Sequence, residues 1–71
     1  MSDIKYRDLK EAYKKEKDFR VRPRIIAVNI VCRQGKSIED TADSLMQSPA
    51  WVSKWVKRFE EGGIDALRDL D

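Results

Sequence analysis

Apolar residues recur at helical spacing in several segments of the chain, and polar or turn-forming residues separate those segments. The first such pattern predicts an amphipathic helix over residues 3–17, with Ser2 or Asp3 able to cap its start. The opposite face of this helix is rich in charged side chains, so we expect it to be exposed. The side chains on its inner face are Tyr6, Leu9, Ala12 and Tyr13.

A second helix is predicted over residues 23–34, after a polar connection at residues 18–22. Pro23 suits the first position of a helix, where its missing N–H is not needed, and Gly35 suits the position just beyond the end. The run is also rich in β-branched residues, so a strand is the alternative. We favour a helix because the pattern does not alternate and the bracketed length is helical. The expected inner face consists of Ile26 and Ile30, with Ala27 and Val31 beside them.

A third, short helix is predicted over residues 37–47. Ser37 and Asp40 resemble a capping box, in which the serine hydroxyl accepts from a free backbone N–H; Asp stands here where Glu or Gln is more usual. We therefore expect the helix to begin directly after Ser37. Its apolar side consists of Ile38, Ala42 and Leu45, with Met46 as a further candidate.

A fourth helix is predicted over residues 48–60. Ser48 is a favourable cap and Pro49 a favourable first residue. Two consecutive glycines at residues 62 and 63 would end the helix, and a final short helix would bring Ile64 and Leu67 back to the core. The apolar stripe of the fourth helix consists of Val52, Trp55, Val56 and Phe59, and we expect it to face inward.

The short third helix and the longer fourth helix are joined by a turn of only two or three residues. Such a turn prevents an antiparallel arrangement with full contact, so the helices must cross at a steep angle. Ala42 is small at the expected crossing point, and Val52 and Trp55 would face back onto the first helix of the pair. Residues 37–60 are therefore predicted to form a helix-turn-helix unit. The whole chain, residues 1–71, is predicted to be one all-α domain of four helices plus a short C-terminal helix.

The outward face of the fourth helix suits the major groove of DNA. Small side chains near its start would let it press into a groove about 12 Å wide. Ala50 can touch a thymine methyl, Ser53 can donate or accept at a base edge, and Lys54 can reach guanine acceptors. Lys57 and Arg58 lie later in the helix and would meet phosphates. The outward positions are Pro49, Ala50, Ser53, Lys54 and Lys57.

The distribution of charge supports this interpretation, although the net charge is only +2. Residues 21–36 and 48–59 hold cations and no acid, so a face that they share would be cationic. A lysine on a helix face is usually just solvated, and the combination with the short turn is what favours DNA. Arg22 and Arg24 have two open interpretations, solvated residues at a helix start or an arm that reaches DNA. Trp51 is open as well, and packing is favoured over stacking on a sugar or base.

A resemblance to a known family covers the predicted helix-turn-helix. Residues 35–69 have the sequence GKSIEDTADSLMQSPAWVSKWVKRFEEGGIDALRD, which resembles the N-terminal helix-turn-helix of insertion-sequence transposases of the mariner-like group and, more widely, the homeodomain-like class. The similarity extends over residues 22–70. Met46 and Gln47 occupy a turn where a glycine and an apolar residue are common, and Trp51 stands where a small polar residue is common. The resemblance implies that DNA faces Ser48, Pro49, Ala50, Ser53, Lys54 and Lys57.

Enzymatic activity is not expected from this chain. It has no histidine, so the usual general base near neutral pH is absent. The one cysteine, Cys32, cannot build a zinc site and is interpreted as a small core residue. The paired glycines lack the Lys-Ser/Thr of a phosphate-binding loop. We therefore predict no catalytic residues, no metal and no cofactor.

Double-stranded DNA is the predicted partner, bound by a transposase module or a small transcriptional regulator. The longest apolar run, residues 25–28, is far shorter than the roughly 20 residues that cross a bilayer. With one cysteine and no secretory leader, a cytoplasmic location is expected. A homodimer stays an open alternative. The other function classes are a protein-interaction module that uses Trp51 and the acidic tail, and an RNA-binding helical domain.

Overall fold

The computed structural model describes residues 2–68, and of residues 2–8 it describes the backbone only. This part of the chain forms four α-helices, with a π-helical turn after the second and a 3₁₀ helix after the fourth. The elements are α1 (Ser2–Lys15), α2 (Arg22–Val28), the π-helical turn (Asn29–Arg33), α3 (Ile38–Leu45), α4 (Pro49–Gly62) and the 3₁₀ helix (Ile64–Arg68). No strand occurs within residues 2–68, and the predicted all-α fold class is confirmed.

Helix α1 turns its predicted apolar face toward the core. Leu9 is fully buried, and Ala12 and Tyr13 are half-buried and pack against the core. The predicted inner face is therefore confirmed for these three residues. The remaining predictions for this helix fall on side chains outside the described part of the chain, namely Tyr6 and the two candidate caps, Ser2 and Asp3.

Charged side chains hold the connection between α1 and α2. Helix α1 ends at Lys15, two residues earlier than predicted, and Glu16 directs its carboxylate to the connection, where it accepts from the Asp18 N–H at 3.2 Å. The same carboxylate lies 3.3 Å from Arg68 Nε in the 3₁₀ helix. The guanidinium and the backbone N–H of Arg20 both donate to the Asp18 carboxylate, which lowers the pKa of that carboxyl below its ordinary value. The connection thus ties the end of α1 to the C-terminal segment.

Helix α2 buries a different face from the predicted one. Ile25 and Val28 are buried together with Val21, which lies just before the helix. These three residues follow one another at spacings of four and three, so they form one stripe. The predicted core positions Ile26 and Ile30 are only half-buried, and that part of the prediction is wrong. The error arose because the stripe begins in the segment that was assigned to a polar connection.

The predicted helix over residues 23–34 is not α-helical throughout. In its last turn the Gln34 N–H donates to the Asn29 carbonyl at 3.2 Å, five residues back instead of four. This π-type bond makes the turn wider, so the residues beyond it point in directions that differ from those that regular α-helical spacing predicts. Ala27, which lies before the change, is fully buried as expected. Gly35 follows at a φ of +74°, and this left-handed conformation ends the helix where the sequence placed its end.

The turn between α3 and α4 consists of residues 46–48. Met46 has φ 58° and ψ 39°, the left-handed conformation that usually belongs to glycine at the end of a helix. Its N–H donates to the Asp43 carbonyl at 3.2 Å, and the Gln47 N–H donates to the Ala42 carbonyl at 2.9 Å. These two bonds form a Schellman motif, which satisfies carbonyls at the end of α3. The Met46 side chain is 93% exposed, so its candidate place on the apolar side of α3 is wrong.

The core is built around the inner face of α4. Val52, Trp55 and Phe59 are 0%, 3% and 1% exposed, as their predicted inward orientation requires. Leu67 of the 3₁₀ helix is fully buried, and Ile64 packs against the same cluster, which confirms that the C-terminal segment returns to the core. The second helix of the helix-turn-helix unit is therefore packed between α3, α2 and the 3₁₀ helix.

Replacing Met46 by glycine should stabilise the fold. A residue with a Cβ in the left-handed region is strained by about 1–2 kcal/mol, and Met46 loses little packing because its side chain is exposed. Part of that gain is offset by the entropy of glycine in the unfolded chain, so we expect Met46→Gly to raise the free energy of unfolding by about 0.5–1 kcal/mol. Urea denaturation measures this change. The control is Ser44→Gly in the right-handed part of α3, which should lower stability; equal destabilisation by both variants would contradict the turn geometry.

Candidate nucleic-acid interface

Both helices of the helix-turn-helix unit begin at the caps that the sequence predicted. Ser48 Oγ accepts from the Trp51 N–H at 3.2 Å, and Pro49 is the first residue of α4. Ser37 Oγ accepts in the same way from the Asp40 N–H at 3.0 Å, at the start of α3. Each cap satisfies a backbone N–H that has no partner within the helix. The caps therefore fix where each helix starts and which residues share a face.

Helix α4 separates a buried face from an exposed one. Its buried side chains are Val52, Trp55, Val56 and Phe59. Of the residues that the sequence assigned to DNA on or beside this helix, Arg58 is half-buried and the others are exposed. The exposed ones are Ser48, Pro49, Ala50, Ser53, Lys54 and Lys57. These six exposed residues together are the outer face of α4.

Two acidic residues that the sequence analysis did not weigh lie on the same side of α4, nearer its end. Glu60 and Glu61 are exposed and follow Lys57 by three and four residues, so they share its side of the helix. Eleven residues separate Ala50 from Glu61, which at 1.5 Å per residue is about 16 Å along the axis. The outer face is thus uncharged or cationic at its N-terminal end and gives way to acids beyond it. The spacing was visible in the sequence and could have revealed this.

Helix α3 has two buried residues. Ala42 is 1% exposed and belongs to the same buried cluster as Val52 and Trp55 of α4. Thr41 is equally buried, and its Oγ1 donates to the Ser37 carbonyl at 2.8 Å. This hydrogen bond satisfies a polar group that burial would otherwise destabilise. Sequence reasoning missed Thr41 because a threonine on a short helix counts as polar in the pattern of apolar spacing.

The structure does not place Arg24 on the outer face of α4. Its side chain is half-buried, and its Nη1 donates to the Leu67 carbonyl at 3.0 Å. Its Cζ lies 3.9 Å from the centroid of the Trp55 ring. The guanidinium therefore makes contacts inside the fold, with α4 and with the 3₁₀ helix. The assignment of Arg24 to DNA stays a prediction.

Trp55 is surrounded by further positive charge. Lys54 Nζ and Arg58 Cζ each lie 5.0 Å from the centroid of its ring, within the range of a cation–π interaction. Within the described part of the chain, the buried Nε1–H of Trp55 has no hydrogen-bond partner, so the ring acts through packing and its π-face. Trp51 is half-buried and packs against the core, which agrees with the favoured interpretation of this residue as a packing group.

Two other kinds of site are absent from the described part of the chain. Within residues 9–68, whose side chains are described, no three acidic or thiol groups lie close enough together to hold a metal ion. None of the helices described is both long enough and apolar enough to pass through a bilayer.

Two capped helices joined by a three-residue turn, the second with an exposed polar face, define a helix-turn-helix domain. Comparison with protein families agrees with this class: the model of the homeodomain-like domain matches residues 20–68. The match covers well over half of the chain, and the protein belongs to the homeodomain-like family. Neither the comparison with curated proteins nor the comparison with solved structures found a match. Membership in this family of helix-turn-helix domains suggests DNA binding.

The two tryptophans should differ sharply in their contribution to stability. Trp55 is 3% exposed and belongs to the core cluster, so Trp55→Ala should lower the free energy of unfolding by about 3–5 kcal/mol and leave much of the domain unfolded. Trp51 is half-buried, and Trp51→Ala should be clearly milder. Thermal denaturation followed by circular dichroism compares the two variants. A folded, stable Trp55→Ala variant would show that the inner face of α4 is misassigned.

Proposed function

We propose that this protein binds double-stranded DNA by inserting the N-terminal half of α4 into the major groove. The observation that carries the proposal is the outer face of α4, which is exposed, free of acids and held by a buried stripe on the opposite side. An α-helix fits the major groove of B-DNA, where each base pair presents a distinct pattern of donors and acceptors. The family of the chain supports the same kind of partner.

Each exposed side chain has a role that follows from its chemistry. Ala50 would contact a thymine methyl, Ser53 a base edge, and Lys54 the acceptors of a guanine. Lys54 Nζ lies near Trp55 in the free protein, so it would swing outward on binding. Lys57 and the half-buried Arg58 would meet phosphates. Ser48 and Pro49 stand at the helix start, where the chain comes nearest to the groove.

The charge pattern of α4 supports one orientation on DNA. Glu60 and Glu61 would be repelled by the phosphates if the C-terminal end of α4 lay in the groove. The N-terminal end, with Ser53, Lys54 and Lys57, has no such conflict, and the helix dipole adds positive potential there. We therefore propose that α4 enters the groove by its first two turns and leaves it before Glu60.

The parent activity is proposed from the resemblance of residues 35–69 to mariner-like transposases. In this proposal the chain is the DNA-binding module of a transposase, and a small transcriptional regulator is the second candidate. A catalytic domain encoded in the same reading frame beyond residue 71 would support the transposase. A genomic reading frame without one would favour the regulator.

Selection of bound duplexes from a random pool tests the proposed function directly. We expect enrichment of a short defined sequence, and on adding that duplex we expect the largest amide chemical-shift changes at Ala50, Ser53 and Lys54. Changes confined to a remote surface, or no enrichment from any pool, would refute the proposal. Preference for structured RNA, whose deep major groove a helix cannot read, would favour the RNA-binding alternative. The stoichiometry of the complex tests the homodimer.

Removal of the Lys54 amine should weaken binding and relax sequence choice. If Lys54 contacts a base, Lys54→Ala should lose roughly 1–3 kcal/mol of binding free energy, with the loss concentrated on the selected duplex. Fluorescence anisotropy with the selected duplex and a scrambled one measures both effects. The control is Lys14→Ala on α1, which removes an exposed lysine far along the chain from α4 and should change little. Equal affinities of wild type and Lys54→Ala would remove Lys54 from the contact set.

Loss of Lys57 should appear mainly in the salt dependence of binding. A protein that neutralises one phosphate fewer has a log–log salt slope that is shallower by about 0.9. Because a phosphate contact carries no base information, Lys57→Ala should weaken the selected and the scrambled duplex by similar factors. Affinity measured over a series of salt concentrations gives the slope. An unchanged slope would show that Lys57 stays in solvent in the complex.

A further inference from the structure

Arg24 connects three elements that are far apart in the sequence. It lies in α2, its Nη1 donates to the Leu67 carbonyl in the 3₁₀ helix at 3.0 Å, and its Cζ lies 3.9 Å from the ring centroid of Trp55 in α4. Trp55 and Leu67 are both among the most buried residues of the chain, at 3% and 0% exposure. One guanidinium thus bridges the outer edge of the core at the point where these elements meet.

The chemistry of arginine suits both contacts at once. A guanidinium is planar, so it can stack on an aromatic face while its N–H groups donate in the plane to a carbonyl oxygen. Cation–π attraction is stronger where water is partly excluded, and Arg24 is half-buried beside a ring that is almost completely buried. A lysine keeps the positive charge and loses the planar fork, so it cannot reproduce this pair of contacts.

The contact between Arg24 and Trp55 affects the outer face of α4 because Trp55 lies next to residues of that face. Trp55 directly follows Lys54, and the charged groups of Lys54 and Arg58 each lie 5.0 Å from its ring centroid. A shift of the indole would therefore move the part of α4 that carries Ser53 and Lys54. Base readout depends on placement of side chains to within a fraction of an ångström, so a small rotation of α4 is enough to disturb it.

We propose that Arg24 is a positioning residue for DNA recognition. By stacking on Trp55 and holding Leu67, it fixes the orientation of α4 on α2, and through that orientation it sets which base edges the outer face meets. This inference rests on the proposed function. The competing role for Arg24 is a direct phosphate contact, as the charge of its segment suggested, and the two roles differ in what their loss would change.

Affinity over a salt series separates these roles. We compare Arg24→Lys and Arg24→Met with wild type, each on the selected duplex and on a scrambled duplex, at a temperature where circular dichroism shows every variant to be folded. Both variants should lower the ratio of the affinity for the selected duplex to that for the scrambled duplex by about tenfold, which is the effect of losing the preference at one base pair. Both should leave the log–log slope of affinity against salt concentration unchanged. Lys57→Ala is the reference for the opposite signature, a shallower slope with an unchanged ratio.

Two results would overturn the proposal. Arg24 would be identified as a phosphate contact if Arg24→Lys kept the wild-type ratio of selected to scrambled affinity and Arg24→Met had a salt slope shallower by about 0.9. A wild-type ratio and slope for both variants would leave Arg24 with a role in stability alone. Leu9→Val controls for lost stability because it loosens the core at α1 and leaves the side chains of Arg24 and Trp55 unchanged. Its ratio of selected to scrambled affinity should equal that of wild type.

A measurement on the free protein tests the contact itself. Stacking on Trp55 should shift the δ-methylene protons of Arg24 upfield through the ring current, and this shift should persist when the selected duplex is added. Loss of the shift on adding DNA would mean that the guanidinium leaves Trp55 for a phosphate, which contradicts the positioning role. If wild type binds no duplex, the proposed function fails and the recognition role of Arg24 fails with it, whereas an upfield shift in the free protein would still establish the stacked contact.

Discussion

The three-residue turn between α3 and α4 is the constraint on which the rest of the structure depends. So short a connection leaves the two helices few relative orientations, and they must meet near the turn. Ala42 of α3 and Val52 of α4 are buried in the same cluster, so these sides of the two helices face inward. Met46 accepts a left-handed conformation so that the turn can close. Once this geometry is set, one side of α4 must be buried and the other must face solvent.

Local signals made much of this predictable from the sequence. A serine cap and a following proline specify a helix start through the hydrogen-bonding needs of its first N–H groups, and both caps were found where expected. The inner stripe of α4 was predictable because large apolar residues recur on one side, from Val52 to Phe59. The exposed positions then followed by helix geometry alone. Their contact with DNA does not follow in the same way, because exposure is compatible with solvation as well as with binding.

The features that could not be predicted depend on contacts between distant residues or on a change of helix type. The stripe of α2 includes Val21. Its spacing from Ile25 and Val28 is visible in the sequence, but the polar residues around Val21 are equally typical of a connection. The π-helical turn displaces the face beyond Val28 without any change in the apolar spacing. Arg24 meets Leu67 across 43 residues of sequence. The sequence shows the positive charge of Arg24 but not its contacts with the Trp55 ring and the Leu67 carbonyl, so a DNA contact was a natural interpretation.

The distribution of charge along α4 matters more for the proposed binding of DNA than the net charge of the chain. With a net charge of +2, long-range attraction to DNA would be weak, and ions in solution screen it within about 10 Å. Binding must then come from charges that touch the backbone, which favours a few cations on one exposed helix face. Lys54 and Lys57 occupy such a face, and Glu60 and Glu61 mark where it ends. In the proposed complex, a helix polarised in this way would be attracted to DNA at one end and repelled at the other, so the charge pattern itself would select an orientation before any base is read.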